Sequence, residues 1–277
     1  EEPDVEAFPA GELDYAFAAI RADPAAYDAA AIAARYRSCG LDVLADPNDG
    51  EVARRVVDAL TARKPFSVIR MNDGEMNLLA LGAFPQTAGL DRHCARRSVE
   101  KQADKFRATD SALLMVRDLM FGAIAAADIV GVVGLWSAEG PERSYRSEAS
   151  EAKFFAPYRA SPKAPHGDWR GRTYMPALAE AGYLQGKTVA SGLLYFGILD
   201  HLDGVIDAAN SVLLLTSVDA AVETLRQRFP RKRIDHIAVG TARPGSRQTA
   251  APDFLSRYEA ALPSDLSGVL CLVGAGP

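Results

Sequence analysis

Apolar positions along the chain follow two rhythms. In EVARRVVDALTARK, Val52, Val56, Val57 and Leu60 fall on one face at the period of an amphipathic helix. FSVIRM (Phe66–Met71) is a short run with β-branched residues that breaks at Asn72-Asp73-Gly74-Glu75 and resumes as the helix-periodic EMNLLALG. That pattern predicts strand, tight turn, helix. The alternation then repeats. Helical stretches over Val99–Arg107 and Ser111–Ala126 precede the apolar run Ile129–Val133, and a helix over Tyr174–Tyr183 precedes Thr188–Ser191. Further apolar runs follow at Val212–Thr216, Ile237–Val239 and Val269–Val273, with helical segments over Ala220–Phe229 and Asp253–Leu262 between the later ones. Short apolar strands separated by helices predict an α/β, Rossmann-like fold: a mostly parallel sheet with helices on both faces.

Two stretches depart from this alternation. Residues 1–48 are Ala-rich with charges at helical spacing, which predicts an N-terminal helical extension broken near Pro24. The turn signal Asp46–Gly50 (DPNDG) closes it, leaving residues 49–277 as the α/β domain. Ala138–Arg172 is polar and carries Pro, Gly and aromatic residues. Long polar insertions of this kind often cover an active site.

Composition narrows the function classes. The 277 residues are 48% hydrophobic and 24% charged, which excludes disordered and disulfide-scaffold classes. With 36 acids against 31 bases the net charge is −5, which argues against nucleic acid as the partner. Local basic clusters leave an anionic small molecule open. Cys39, Cys94 and Cys271 are far apart, which suits a reducing compartment and offers no thiolate metal site. The acidic start lacks the basic, then apolar, order of a signal peptide. The longest apolar stretch, Phe121–Trp136, is interrupted by Asp128 and is shorter than the ~20 residues of a membrane span. A cytoplasmic chain without a membrane span is the expectation, with homo-oligomer formation left open. The sequence begins without Met and stops at Gly276-Pro277, so further chain is expected at one or both ends.

In parallel α/β sheets ligands bind at the carboxyl ends of strands, so residues just after a strand come first. Asp73 and Glu75 lie there, two apart. Alternate carboxylates on a tight turn can converge on a hard cation such as Mg²⁺ or Mn²⁺, which takes oxygen ligands and keeps substrate phosphates in its shell. Gly74 lets a ligand approach the backbone, and Asn72 tolerates the left-handed region. A second reading of the same residues is local: an Asp before a helix is commonly its N-cap, and Glu75 in the first turn suits the helix dipole. Arg70 can bind phosphate or pair with an acid.

PFSVIRMNDGEMNLLALG resembles the opening strand–turn–helix of the bacterial GT-D-fold glycosyltransferases, whose signature is an Arg, an aromatic or apolar residue, then Gly-Asp-Gly-Glu. The resemblance covers roughly residues 50–277, and Arg70–Glu75 is its specific part. It implies transfer of a sugar from a nucleotide diphosphate sugar to a glycan, lipid-linked or protein acceptor, in cell-surface polysaccharide or glycoprotein assembly. It also implies a D-x-E motif with Mn²⁺ or Mg²⁺. Carried over, Asp73 and Glu75 are the metal and diphosphate acids, with Arg70 nearby. Asn72 stands where the family usually has Gly, and its tolerance of left-handed backbone is expected to preserve the turn.

Other residues compete for the rest of a site. In Thr241–Gln248 (TARPGSRQ), Arg243 and Arg247 can clamp phosphates or be solvated arginines. Leu90–Arg97 (LDRHCARR) reads as a loop offering Asp91 or His93 as acid or base, with Arg92, Arg96 and Arg97. In the polar insertion, Asp168 and Glu139 are candidate general bases and Trp169 a stacking residue, or an ordinary loop anchor. Ser191-Gly192, at the end of an apolar strand, suits a phosphate-binding helix start, although Leu193, Leu194, Phe196, Ile198 and Leu199 read as core. Gly274 in the terminal VLCLVGAGP can bring backbone to a donor diphosphate. Two rival functions remain: a non-catalytic nucleotide- or sugar-binding module of the same fold, and a dinucleotide-dependent oxidoreductase.

Overall fold

The computed structural model describes residues 12, 15, 18–20, 22–46, 50–102, 109–135, 168–216, 218–238 and 259–274. For Asp73, Asp168 and Trp169 it describes the backbone alone. The chain divides into two compact units. The first comprises residues 1–49, 67–99 and 107–196; the second comprises 50–66, 100–106 and 197–277.

In the first unit Asp23 and Asp28 set the entry. Asp23 Oδ1 accepts from the Ala26 amide over the 3-10 turn Pro24–Tyr27, and Asp28 Oδ1 accepts from the Ala31 amide at 2.8 Å to cap α1 (Ala29–Ser38). Pro24 opens the turn because its missing N–H is an orphan there anyway. Helix α1 buries Ile32, Ala33 and Tyr36. Gly40, at φ +75°, turns the chain into β1 (Asp42–Leu44). This short strand was not expected: it forms one edge of a four-stranded sheet ordered β1-β4-β3-β2, with β2 (Val68–Met71), β3 (Ile129–Val132) and β4 (Thr188–Ser191). Every pairing is parallel. The inner strands β3 and β4 are buried along their whole length, as a parallel strand covered on both faces must be.

Helix α3 (Asp73–Leu79) packs against α5 (Asp110–Ala126) and α6 (Asp168–Glu180), and α1 packs against α6. Their apolar faces meet in one core that includes Ile32, Tyr36, Met71, Met76, Leu79, Val132 and Met175. Between α3 and α5 lies α4 (Ala88–Gln102), so the segment Leu90–Arg97 is helix rather than the expected loop. Its buried stripe, Leu90, Asp91, Cys94 and Ala95, has helical spacing but includes an acid. A stripe interrupted by a charge reads as polar loop when its partner is far away in sequence.

The second unit has its own sheet and core. Helix α2 (Glu51–Thr61) packs against α8 (Leu202–Ala208), which follows α7 (Tyr195–Asp200). Strands β5 (Ser211–Thr216), β6 (Arg233–Ala238) and β7 (Val269–Gly274) form a parallel sheet ordered β6-β5-β7, with α9 (Asp219–Arg228) between β5 and β6. Ala53, Val205, Ile206, Val212, Val222, Ile234 and Leu270 fill its core. The Rossmann-like α/β reading holds, since all described strands pair in parallel and helices flank them; the strands divide between two sheets. Strand β6 begins four residues before the expected apolar run Ile237–Val239, because alternate polar residues conceal its first half.

The same device ends a helix in each unit. Lys187, just before β4, donates from Nζ to the carbonyls of Ala125 and Ala127 at the end of α5. Lys232, just before β6, donates to the carbonyls of Asp207 and Ala209 at the end of α8. Each ammonium satisfies orphan carbonyls at the negative end of a helix dipole, tying α5 to the start of β4 and α8 to the start of β6.

One surface cluster carries a pH signature. Arg54 donates to both Glu51 carboxylate oxygens, at 2.8 and 2.7 Å, and Arg55 adds a third bond at 2.7 Å. These hydrogen bonds hold the Glu51 carboxyl down to about 2, from an ordinary 4.5. A depressed carboxylate contributes stability that is complete above the unfolded value and is lost as pH falls toward the folded one. Wild type is therefore expected to lose more melting temperature than Glu51→Gln between pH 5 and pH 2. Because the group is near the surface the difference is small and shrinks in 1 M salt. Parallel pH profiles for the two proteins would contradict this.

Candidate functional site

The carboxyl ends of the first sheet lie level. Met71 pairs with Val132 and Val132 with Ser191, so the chain leaves β2, β3 and β4 along one row. Directly after Met71, Asn72 takes an extended conformation (φ −94°, ψ −170°) and N-caps α3. The expected left-handed backbone at Asn72 is therefore not used. Asn suits the position because it is among the best N-caps, and Gly, the residue of the resembled motif, is also accepted there. Asp73 is then the first helical residue rather than the cap, and Gly74 follows within the first turn.

Glu75 closes a capping box with Asn72: its Oε2 accepts from the Asn72 amide at 3.0 Å. One carboxylate oxygen is thus held by the helix start, and the half-buried side chain is fixed at the sheet edge. Beneath it Met76 and Leu79 are buried and anchor α3 to the core. Asn77, 8% exposed, donates to Ser98 Oγ at 3.0 Å, and Ser98 donates to the Cys94 carbonyl, which joins α3 to α4. The turn is therefore clamped from three sides: sheet, core and α4.

Arg70 projects from the end of β2, exposed, with no ion pair among the described residues. Its guanidinium carbon lies 5.4 Å from the centroid of the Tyr195 ring, in cation–π geometry. Tyr195 was not singled out by sequence reasoning. A lone Tyr in an apolar helix pattern carries no signal until the fold brings the arginine beside it.

Ser191, the last residue of β4, is fully buried, and its Oγ accepts from the Leu193 amide at 3.2 Å. The hydroxyl shapes the turn out of the strand. Gly192 donates to the Val132 carbonyl at 2.7 Å, and a Cβ there would lie 3.0 Å from that oxygen. At the end of β3, Gly134 sits at φ +91°, and a Cβ would lie 3.0 Å from Arg172 Cγ. Arg172 itself is fully buried on α6 and donates from Nη1 to the Tyr27 carbonyl at 2.6 Å. This guanidinium beside the sheet's carboxyl edge also escaped sequence reasoning; its only trace was a basic residue closing the polar insertion.

Asp91 has a defined partner. Arg170 Nη2 donates to Asp91 Oδ1 and, at 2.9 Å, to Thr87 Oγ1, while Thr87 donates to Asp91 Oδ2 at 2.8 Å. The Asp91 and Arg170 side chains are 2% and 4% exposed, and Phe84 covers the guanidinium at 4.6 Å. Burial pushes the Asp91 carboxyl above its ordinary value, against the pull of Arg170 and Thr87. Arg92 and Arg96, from the same segment, both pair with Asp110 at the start of α5. His93 lies half-buried on α4. This network joins α4 to α6 and α5.

Asp168, a candidate base, opens α6 rather than lying in a loop, and Trp169 follows it in the helix. Gly274 ends β7, level with Thr216 of β5 in the second unit. Glu139, Arg243 and Arg247 lie outside the described residues. Among the described residues no three His, Cys, Asp or Glu side chains converge as a metal site. No described helix is long and apolar enough to cross a membrane.

The acidic turn thus lies at the carboxyl edge of a parallel sheet, where ligands bind in α/β folds. Residues 48–161 match the family model of the GT-D-like, GT-D fold-like domain. The matched segment spans residues 70–75, so this part of the chain is similar to a GT-D-like domain. No curated protein and no solved structure matches the chain.

Proposed function

We propose that this chain is a metal-dependent glycosyltransferase that moves a sugar from a nucleotide diphosphate sugar to an acceptor hydroxyl. The observation that carries the reading is the placement of Asn72–Glu75: an acidic turn, clamped by a capping box, at the carboxyl edge of a parallel sheet inside the matched segment. The donor set fits a hard cation. Asp73 and Glu75 would supply carboxylate oxygens of the kind such a cation takes, with donor phosphate oxygens as further ligands; Glu75 Oε2 already accepts from the Asn72 amide. Mn²⁺ or Mg²⁺ held there supplies Lewis-acid stabilisation of the diphosphate as the glycosidic bond breaks.

The chain's own residues do the rest. Arg70, exposed and unpaired among the described residues, offers a fixed positive charge to a phosphate oxygen. The cap keeps Glu75 from swinging, so the acidic turn meets the donor already ordered. Asp168 at the start of α6 is the candidate to take the proton of the acceptor hydroxyl, which is borne by a glycan, a lipid-linked carrier or a protein. A thermal-shift screen of nucleotide sugars tests the reading. At least one is expected to raise the melting temperature in the presence of Mn²⁺ and not after chelation, since a ligand at 100 times its Kd adds about 2.7 kcal/mol. A flat screen under both conditions would overturn it.

A further inference from the structure

The position of Arg70 depends on a hole in the neighbouring strand. Arg70, Gly131 and Ala190 form one row across β2, β3 and β4, so their side-chain positions face the same side of the sheet. Gly131 leaves the middle of that row empty, and the chain leaving β4 fills it. A Cβ at Gly131 would lie 2.5 Å from Leu194 Cδ2, closer than packing allows. Leu194, 5% exposed, is therefore seated on the sheet over β3, and the next residue, Tyr195, reaches the guanidinium two strands away. Phe196 steadies the Tyr195 ring, with centroids 4.3 Å apart.

We propose that Tyr195 is a positioning residue for anion binding: seated through Gly131, its ring holds the Arg70 guanidinium at the carboxyl edge for a phosphate of a nucleoside diphosphate bound at the Asn72–Glu75 turn. The proposal rests on the function proposed above and assigns the site two residues that the motif does not contain. An arginine at a strand end is a flexible side chain with about 2 kcal/mol of rotamer entropy. Stacking on a ring removes much of that freedom before the ligand arrives, while the edge of the guanidinium keeps its donors for phosphate oxygens. The ring hydroxyl has no part in this, so the phenyl ring of Phe serves equally.

Calorimetric titration of the full chain with inorganic pyrophosphate in Mn²⁺ tests the proposal in wild type, Arg70→Ala, Tyr195→Ala, Tyr195→Phe and the Arg70→Ala/Tyr195→Ala double variant. Wild type binds. Tyr195→Ala weakens binding by about two- to fivefold, the range of an exposed cation–π contact; Tyr195→Phe restores it, and Arg70→Ala weakens it more. The double variant binds no more weakly than Arg70→Ala, because Tyr195 acts only through the arginine. A ring that merely supported the fold would weaken binding equally in both backgrounds. That additive result, or a Tyr195→Ala protein that binds like wild type, overturns the role of Tyr195 while leaving the function standing. A wild type that binds no pyrophosphate with Mn²⁺ overturns both.

Discussion

Asp91→Ala is expected to destabilise the protein by about 3–5 kcal/mol, the range for removing the acid of a buried ion pair. Its urea midpoint should fall accordingly, at unchanged slope. Arg170 is 4% exposed, it is covered by Phe84, and Asp91 accepts from both Arg170 and Thr87. Removing the carboxylate takes away an acceptor that Arg170 and Thr87 share, in a place where both groups are buried. Against a typical domain stability of about 5–15 kcal/mol, that is a large share. The companion Asp91→Leu/Arg170→Met should lie closer to wild type than either single change, because it removes both charges together. If Asp91→Ala melts like wild type, the pair is not buried as described.

The second large effect falls on function. Asp73→Asn and Glu75→Gln are each expected to abolish Mn²⁺-dependent nucleotide binding while leaving the fold intact. The loss should exceed the ~10–100-fold that removing an outer partner of a metal ligand costs. The capping box makes Glu75→Gln informative. A Gln amide oxygen still accepts from the Asn72 amide, so helix α3 keeps its cap while the carboxylate charge is gone. Glu75→Ala loses both, and should cost about 0.5–2 kcal/mol of stability in addition. Comparing the two variants by urea melting and by nucleotide binding separates the local role of Glu75 from its proposed role toward the cation. If Glu75→Gln binds nucleotide with Mn²⁺ as tightly as wild type, Glu75 is a capping residue alone.

Legibility followed the range of each interaction. The strand–turn–helix around Asn72–Glu75 was visible because a β-branched run, a polar turn and a 3.6-residue repeat are all local. Buried strands such as Ile129–Val132 announced themselves as continuous apolar runs. The Leu90–Arg97 part of α4 reads as a loop because Asp91 occupies its buried stripe, and the arginine that makes this tolerable is 79 residues away. Strand β1 was hidden in an Ala-rich segment because three residues at a sheet edge carry almost no periodicity. The turn itself was located but its backbone was not: the motif suggested a left-handed residue at Asn72, whereas the structure uses Asn as an extended helix cap. Tyr195 and Arg172 were invisible for a related reason. Their placement depends on Gly131 within β3 and Gly134 just after it, which look like ordinary glycines until another segment is packed on them. Local chemistry was readable, and the long-range pairs that orient it were not.

On the proposed function, the acidic turn after β2 binds a nucleoside diphosphate together with a divalent cation. Calorimetric titration of the folded wild-type chain with nucleoside diphosphates, with and without Mn²⁺, measures this most directly. Saturable heat is expected with at least one diphosphate when Mn²⁺ is present, and is expected to disappear when the ion is chelated. Absence of heat with every diphosphate in Mn²⁺, from protein whose melting curve shows it folded, would contradict it.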